Sequence, residues 1–355
     1  MTPGASLEGL DLTALTTYLR AASVPLEGPL TARLISGGRS NLTYAVTDGA
    51  SRWVLRRPPL GQVLKGAHDV AREHRVMLGL AATAVPVPAT VALCRDESVL
   101  GVEFYLMDEV GGQVLRTTGL VEPLAVSTRT ALGHALVDTL ADLHDVDYTA
   151  AGLADLGTPD GYLQRQVDRW VRQYGAINVR ELPHVDEVVA ALRKGMPVAQ
   201  GASVVHGDYR LDNVMVGHDD PTRIVAVLDW EMATLGDPLA DLAMLLMFWD
   251  EAGRPFNPIT AGLMALDGFP SRDEAIEHYV TRRSLQVENL DWYAVFSQFK
   301  LAIILEQMHV RHLTGQTRGE GFEGLGEMVV DLLEAARGDV ERSPRLRAPT
   351  SSTPG

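Results

Sequence analysis

The chain has 355 residues, 46% of them hydrophobic and 22% charged, which is the profile of an ordinary globular protein long enough for two lobes. Its net charge of −15 argues against wrapping nucleic acid or lying on an anionic membrane surface. Cys94 is the single cysteine, so neither an intramolecular disulfide nor a cysteine-based zinc site is expected.

The opening MTPGASLEGLDL lacks a basic stretch followed by an apolar core, so no signal peptide is expected and a cytoplasmic location is the simplest reading. Residues 11–22 read as a short helix. Three strand-like runs follow at 30–38, 41–48 and 51–58, separated by Gly and Asp-Gly turns that suggest antiparallel hairpins. Val70, His74, Met77, Leu78 and Ala81 recur at helical spacing, which predicts an amphipathic helix over 67–82. Two more strands are expected at 85–94 and 102–110. After Gly111 and Gly112 the pattern turns helical, with helices expected at 131–146, 162–175 and 186–195. A hairpin formed by VMVG (214–217) and RIVAVLDW (223–230) interrupts this half before further helices at 238–249, 273–288, 291–314 and 321–337. None of the apolar runs is long and uncharged enough to span a bilayer. The Pro/Ser/Thr-rich tail 342–355 is expected to be disordered.

The stretch HGDYRLDN (206–213) and the strand end at Asp229 carry the chemistry. Asn213 precedes the first hairpin strand and Asp229 closes the second, so antiparallel pairing predicts that the two emerge side by side. An amide oxygen and a carboxylate together suit Mg²⁺, whose remaining ligands would be waters and phosphate oxygens. Asp208, on the loop leading in, is then placed to accept a proton from an incoming hydroxyl. Those are the parts that phosphoryl transfer requires. The plainer alternative is a turn rich in Asp, Asn and Gly. His206 is expected to prop the loop, Asp237 to be structural, and Asp241 to cap or brace the loop.

The order His206-Gly207-Asp208, four residues, Asn213, then Asp229-Trp230-Glu231 resembles the protein-kinase pattern. With HGD in place of HRD, and with GDPLADLAML (236–245) following, the chain resembles the aminoglycoside phosphotransferase family. The resemblance is nearly gapless over 204–245 and weaker through most of 30–335. It implies an α+β, two-lobed, protein-kinase-like fold: a small antiparallel-sheet lobe with one helix at 1–107, a connector at 108–113, and a mainly helical lobe with a short hairpin at 114–341. It also implies ATP and Mg²⁺ as cofactors.

For the nucleotide, SGGRSN (36–41) lies between two strands, where backbone N–H groups could cover phosphates, with Gly38, Ser40 and Asn41 as candidates; a plain hairpin turn explains it equally well. In WVLRR (53–57), Arg56 stands where a kinase carries its phosphate-binding lysine. Lys65 is its rival, and a solvated edge-strand arginine is the bland reading. Glu73 is the natural partner of Arg56, or else a solvated helix-face residue. Glu109 and Val110 are candidates to meet adenine through their backbones, with Met107 lining the pocket behind.

VLRRPP (54–59), AHDVAREHRVM (67–77), FYLMDEV (104–110), GYLQRQVDRW (161–170) and LDWEMATLGDPLADLA (228–243) look like the phosphotransferase domains related to those fused to acyl-CoA dehydrogenases. In that branch Arg commonly replaces the lysine, which favours Arg56 over Lys65. The resemblance points to a small-molecule substrate linked to hydroxyacyl-CoA or lipid metabolism. An aminoglycoside acceptor is one alternative, and a catalytically silent nucleotide-binding scaffold serving an acyl-CoA dehydrogenase is another. Arg165, Arg169 and Trp170 could meet an anionic group of the substrate, although core packing for Trp170 and solvation for the arginines is the favoured reading.

Overall fold

The computed structural model describes residues 7–36, 41–59, 69–177, 179–251, 260, 262–285, 287–315, 322 and 324–347. Two compact units form. Unit 1 comprises 1–115, 146–154 and 211–233, and unit 2 comprises 116–145, 155–210 and 234–355.

Unit 1 begins with α1 (Leu12–Ala21), capped by Asp11, and the strands β1 (Thr31–Ser36), β2 (Leu42–Thr47) and β3 (Arg52–Arg57). Helix α2 (Val70–Leu80), strand β4 (Thr90–Cys94), the single turn α3 (Glu97–Leu100) and β5 (Phe104–Asp108) follow. The strands pair antiparallel in the order β1-β2-β3-β5-β4. Successive side chains on a strand point to opposite faces. Tyr44, Val46, Trp53, Leu55, Phe104 and Leu106 therefore share one face and form a core with Leu15 and Leu19 of α1. Val54, Arg56, Tyr105 and Met107 belong to the alternate positions, in the pairs Val54–Met107 and Arg56–Tyr105. The expected strand at 85–94 shortens to β4, because Pro86 and Pro88 have no N–H to give a ladder.

Unit 2 holds the short α4 (Thr118–Val121), then α5 (Val126–His144), α6 (Tyr162–Ile177) and α7 (Val185–Lys194). Strand β6 (Ser203–Val205) comes next. The chain then passes through unit 1 as β7 (Val214–Val216) and β8 (Ile224–Val227) and returns at β9 (Thr234–Gly236), which pairs with β6. Helices α8 (Pro238–Met247), α9 (Arg272–Arg283), α10 (Leu290–Leu313) and α11 (Leu325–Arg342) complete it. Helix α10 is the hub, packing against α6, α7, α8 and α11.

Two further findings differ from the sequence expectations. The β7–β8 hairpin groups with unit 1 rather than with the helices around it in sequence. It is held there by a bridge between Gln113 and Val216 and by the Val227 N–H donating to the Pro86 carbonyl at 2.8 Å. The start of the tail is packed, not disordered: the Ser343 hydroxyl bonds to Asp291, and Leu346 is buried against Gly195, where a Cβ would collide with it. Residues 348–355 lie outside the described residues. No helix among the described residues is long and apolar enough to cross a membrane.

Candidate active site

In unit 1, the pleat of β3 separates two neighbouring arginines. Arg57 is buried on the α1 side and donates to the carbonyls of Gly9 and Leu100, whereas Arg56 faces Glu73 of α2. Arg56 Nε lies 3.1 Å from Glu73 Oε2, and Nη2 lies 2.5 Å from Asp229 Oδ1 and 3.9 Å from Glu231 Oε2. Burial disfavours the Arg56 cation, but Glu73 and Asp229 outweigh that effect and hold its pKa above the usual guanidinium value. Glu73, 1% exposed, also accepts from Asn41 Nδ2 at 2.9 Å and from the Tyr105 hydroxyl at 3.1 Å. Burial raises its carboxyl to about 7 against the opposing pull of Arg56. Three carboxylates thus face one guanidinium, an arrangement of hard oxygens with negative charge in excess.

The hairpin brings Asn213 and Asp229 together as the spacing predicts. The Leu228 N–H donates to the Asn213 carbonyl at 2.8 Å, one step beyond the Val214–Val227 pair. Asp229 adopts φ 66°, ψ 60°, a left-handed conformation that is sparsely populated outside glycine and tolerated by Asp and Asn. Arg72 secures the following turn, donating from Nε and Nη2 to the Ala233 carbonyl at 3.1 and 2.8 Å. An amide and a carboxylate at this position, next to surplus negative charge, fit a hard divalent cation.

In unit 2, the loop after β6 is held through its backbone. Asp241, 2% exposed on α8, accepts from the His206 N–H and, at 2.7 Å, from the Gly207 N–H. His144 lies 3.5 Å from the same carboxylate through Nε2 and 2.7 Å from the Tyr279 hydroxyl through Nδ1. Burial keeps the His144 ring neutral by lowering its pKa, so a proton on Nε2 with Nδ1 accepting from Tyr279 satisfies both contacts. Burial also pushes the Asp241 carboxyl upward, but the bonds from His144 and the loop N–H groups prevail and hold it below its usual value. His206, fully buried, accepts the Asp208 N–H on Nδ1 at 3.2 Å. The Asp208 side chain is 31% exposed, with Arg210 Nε 3.6 Å from its carboxylate.

The sequence matches the model of the phosphotransferase enzyme family (APH) over residues 31–275. The chain belongs to that family. It is 35% identical to acyl-CoA dehydrogenase family member 11 of Gallus gallus and 34% identical to member 10 of Mus musculus, over 90% and 91% of its own length. It spans only 41% and 30% of those two relatives. Among solved structures, a putative aminoglycoside phosphotransferase from Ralstonia eutropha JMP134 superposes with a TM-score of 0.79 at 33% identity, covering 94% of this chain and 98% of that one. The GDP complex of wild-type aminoglycoside 2′-phosphotransferase-IIIa shares the fold at a TM-score of 0.59 and 15% identity, covering 93% of this chain and 99% of that one. The architecture is therefore α+β and protein-kinase-like.

Within this phosphotransferase, the remaining candidates divide. Met107 is buried on β5, and the Glu109 N–H is committed to the Arg52 carbonyl at 3.0 Å while its carboxylate pairs with Arg52 at 2.5 Å. Val110 is half-buried just past β5. Asn41 reaches Glu73 instead of a loop tip. Gly38, Ser40 and Lys65 lie outside the described residues. Arg165 spends its guanidinium on the carbonyls of Thr158 and Asp160, which closes the start of α6. Trp170 is a buried core residue with Arg169 stacked 5.4 Å from its ring centroid. Asp237 caps α8, accepting from Leu239 N–H and Gln200 N–H at 2.9 Å each and from the Tyr293 hydroxyl at 2.8 Å. Sequence reading gave no role to Arg72, Tyr105 or Lys300. The facing strand positions of Arg56 and Tyr105 could have suggested Tyr105, but nothing local marks Arg72 or Lys300.

Proposed function

We propose that the protein is an ATP- and Mg²⁺-dependent phosphotransferase that moves the γ-phosphoryl group onto a hydroxyl of a small molecule. The observation that carries this reading is Arg56 paired with both Glu73 and Asp229, in the same unit as the hairpin that sets Asn213 beside Asp229. Arg56 steadies the nucleotide phosphates, with Glu73 orienting its guanidinium. Asn213 and Asp229 hold Mg²⁺. When bound, the metal neutralises charge on the phosphate oxygens. Asp208 takes the proton of the acceptor hydroxyl as its oxygen bonds to the γ-phosphorus and the bond to the ADP oxygen breaks, so that ADP and the phosphate ester leave. In this reading residues 1–107 form the nucleotide-binding lobe, 108–113 the hinge that meets adenine, and 114–341 the lobe that carries the acceptor, apart from the segments 146–154 and 211–233 that group with unit 1.

The names of the relatives support an acceptor from acyl-CoA or lipid metabolism, such as a hydroxyacyl-CoA, and the structural neighbours named as aminoglycoside phosphotransferases keep an aminoglycoside as the rival. A silent scaffold would have no use for an intact Asp208, Asn213 and Asp229. The test is an ATP-dependent phosphorylation screen that mixes hydroxyacyl-CoAs, aminoglycosides and sugar alcohols. ADP release coupled to a phosphorylated hydroxyacyl-CoA is expected, phosphorylation of an aminoglycoside alone would reverse the substrate assignment, and no transfer to any acceptor would favour the scaffold.

A further inference from the structure

Lys300 is one of three lysines in the chain, and it sits on α10 with 7% of its surface exposed. An ammonium is an expensive group to bury, and methionine or leucine would fill the space with less penalty. Burial lowers the Lys300 pKa, Arg169 adds to that effect, and Asp208 and Asp241 oppose it. What the ammonium touches is a backbone atom: Nζ donates to the Gly207 carbonyl at 2.6 Å and lies 5.9 Å from the centroid of the Trp170 ring.

That carbonyl belongs to the peptide whose N–H is that of Asp208. The oxygen is held by Lys300, and the N–H at the opposite edge donates to His206 Nδ1. A peptide unit is planar, so two anchors on opposite edges fix its rotation. One residue earlier, Gly207 has φ +85°, which side-chain-bearing residues rarely adopt, and its own N–H is held by Asp241. Every backbone polar group from the His206 N–H to the Asp208 N–H, apart from the His206 carbonyl, has a named partner within unit 2.

We infer that Lys300 is a positioning residue that aims the Asp208 carboxylate by pinning the Gly207–Asp208 peptide plane. The inference rests on the reading of Asp208 as the proton acceptor. Loss of the pin lets the plane rotate and misplaces the carboxylate while leaving the groups of unit 1 untouched.

The test uses the full chain, Mg²⁺-ATP with water as acceptor (phosphate release), and the Kd of a non-hydrolysable ATP analogue. Lys300→Met is expected to lower kcat by about tenfold or more, the scale of a small misplacement of a reacting group, with the analogue Kd and KM for ATP unchanged and the melting temperature held or raised. Lys300→Arg, which keeps donor and charge, is expected to recover much of the rate. A Lys300→Met rate equal to wild type overturns the inference. Parallel loss of rate and analogue binding also overturns it, since a general prop would behave that way. Should Lys300→Met fail to fold, Lys300→Arg and Lys300→Gln decide: rates falling in the order Lys, Arg, Gln at constant analogue Kd are expected, and equal rates overturn it. Asp208→Ala is measured alongside. Full rate in Asp208→Ala removes the reading of Asp208 itself, whereas a rate lost there and kept in Lys300→Met removes only the role of Lys300.

Discussion

The two regions that carry the candidate acidic residues are held in opposite ways. Around Arg56, side chains hold side chains: Glu73, Asp229 and Glu231 compete for one guanidinium. Around Asp208, side chains hold the main chain: Asp241, His206 and Lys300 each bond to backbone atoms of the loop. A cluster of side chains can exchange partners when a charged ligand arrives, because several carboxylates stand within 4 Å of one guanidinium. A clamped backbone keeps one geometry whatever binds. The contrast suits the proposed roles, a nucleotide-and-metal station that rearranges and a proton acceptor that stays still.

The most severe break should come from the rigid region. Asp208→Ala is expected to lower phosphoryl transfer by about 10²–10⁴-fold, the usual worth of a positioned base, with thermal stability preserved. Unchanged transfer would leave the loop's clamps without a purpose. Asp229→Asn should come next. Loss of roughly 100-fold or more in turnover is expected, together with nucleotide affinity that no longer responds to Mg²⁺, as for loss of a metal ligand. Titration calorimetry with and without Mg²⁺ reads this directly.

Arg56→Ala removes the centre of the cluster and leaves Glu73 buried beside other carboxylates. A stability loss of about 3 kcal/mol is expected at pH 8, along with weaker ATP binding. The loss should be smaller at pH 5, where Glu73 can take up a proton. Denaturant melts at the two pH values compare them.

Glu73 itself offers a finer measure. Its ordinary value of 4.5 is raised to about 7 in the folded protein, chiefly by burial. Between those values the unfolded chain has released a proton that the folded chain keeps. Its contribution to stability is therefore full below pH 4.5 and is lost as pH rises to about 7. Glu73→Gln has no such proton, so the melting-temperature difference should move in the variant's favour across that window. A constant difference would mean that Glu73 is ionised throughout. At the small end, Arg165→Ala should change stability by no more than ~0.5 kcal/mol and leave the acceptor KM unchanged, because its guanidinium serves exposed loop carbonyls. A raised KM would return Arg165 to the substrate side.

Much of this arrangement was legible because it is local. The Asn213-to-Asp229 hairpin and the run of strands, helix and strands around α2 follow from short spacings, whereas the brace from Asp241 reaches Gly207 across 34 residues and was read from the segment GDPLADLAML. Strands β6 and β9 escaped notice because three residues apiece leave no alternation to read, and their pairing spans the whole hairpin. Lys300 escaped because 93 residues separate it from Gly207, and only tertiary packing brings α10 there. The tail misled for a different reason: its composition is that of a disordered segment, but Ser343 and Leu346 suffice to fasten its first turn.

The left-handed backbone at Asp229 limits which replacements are informative there. Alanine removes the carboxylate and also places a side chain poorly suited to φ 66°, so any deficit mixes lost ligation with local distortion. Asparagine accepts that conformation and retains an oxygen, and glycine accepts it without either. Substitution tolerance at 229 should therefore follow an order set by backbone geometry for folding and by oxygen donors for turnover. The two rankings diverge most at glycine, which should fold well and transfer nothing.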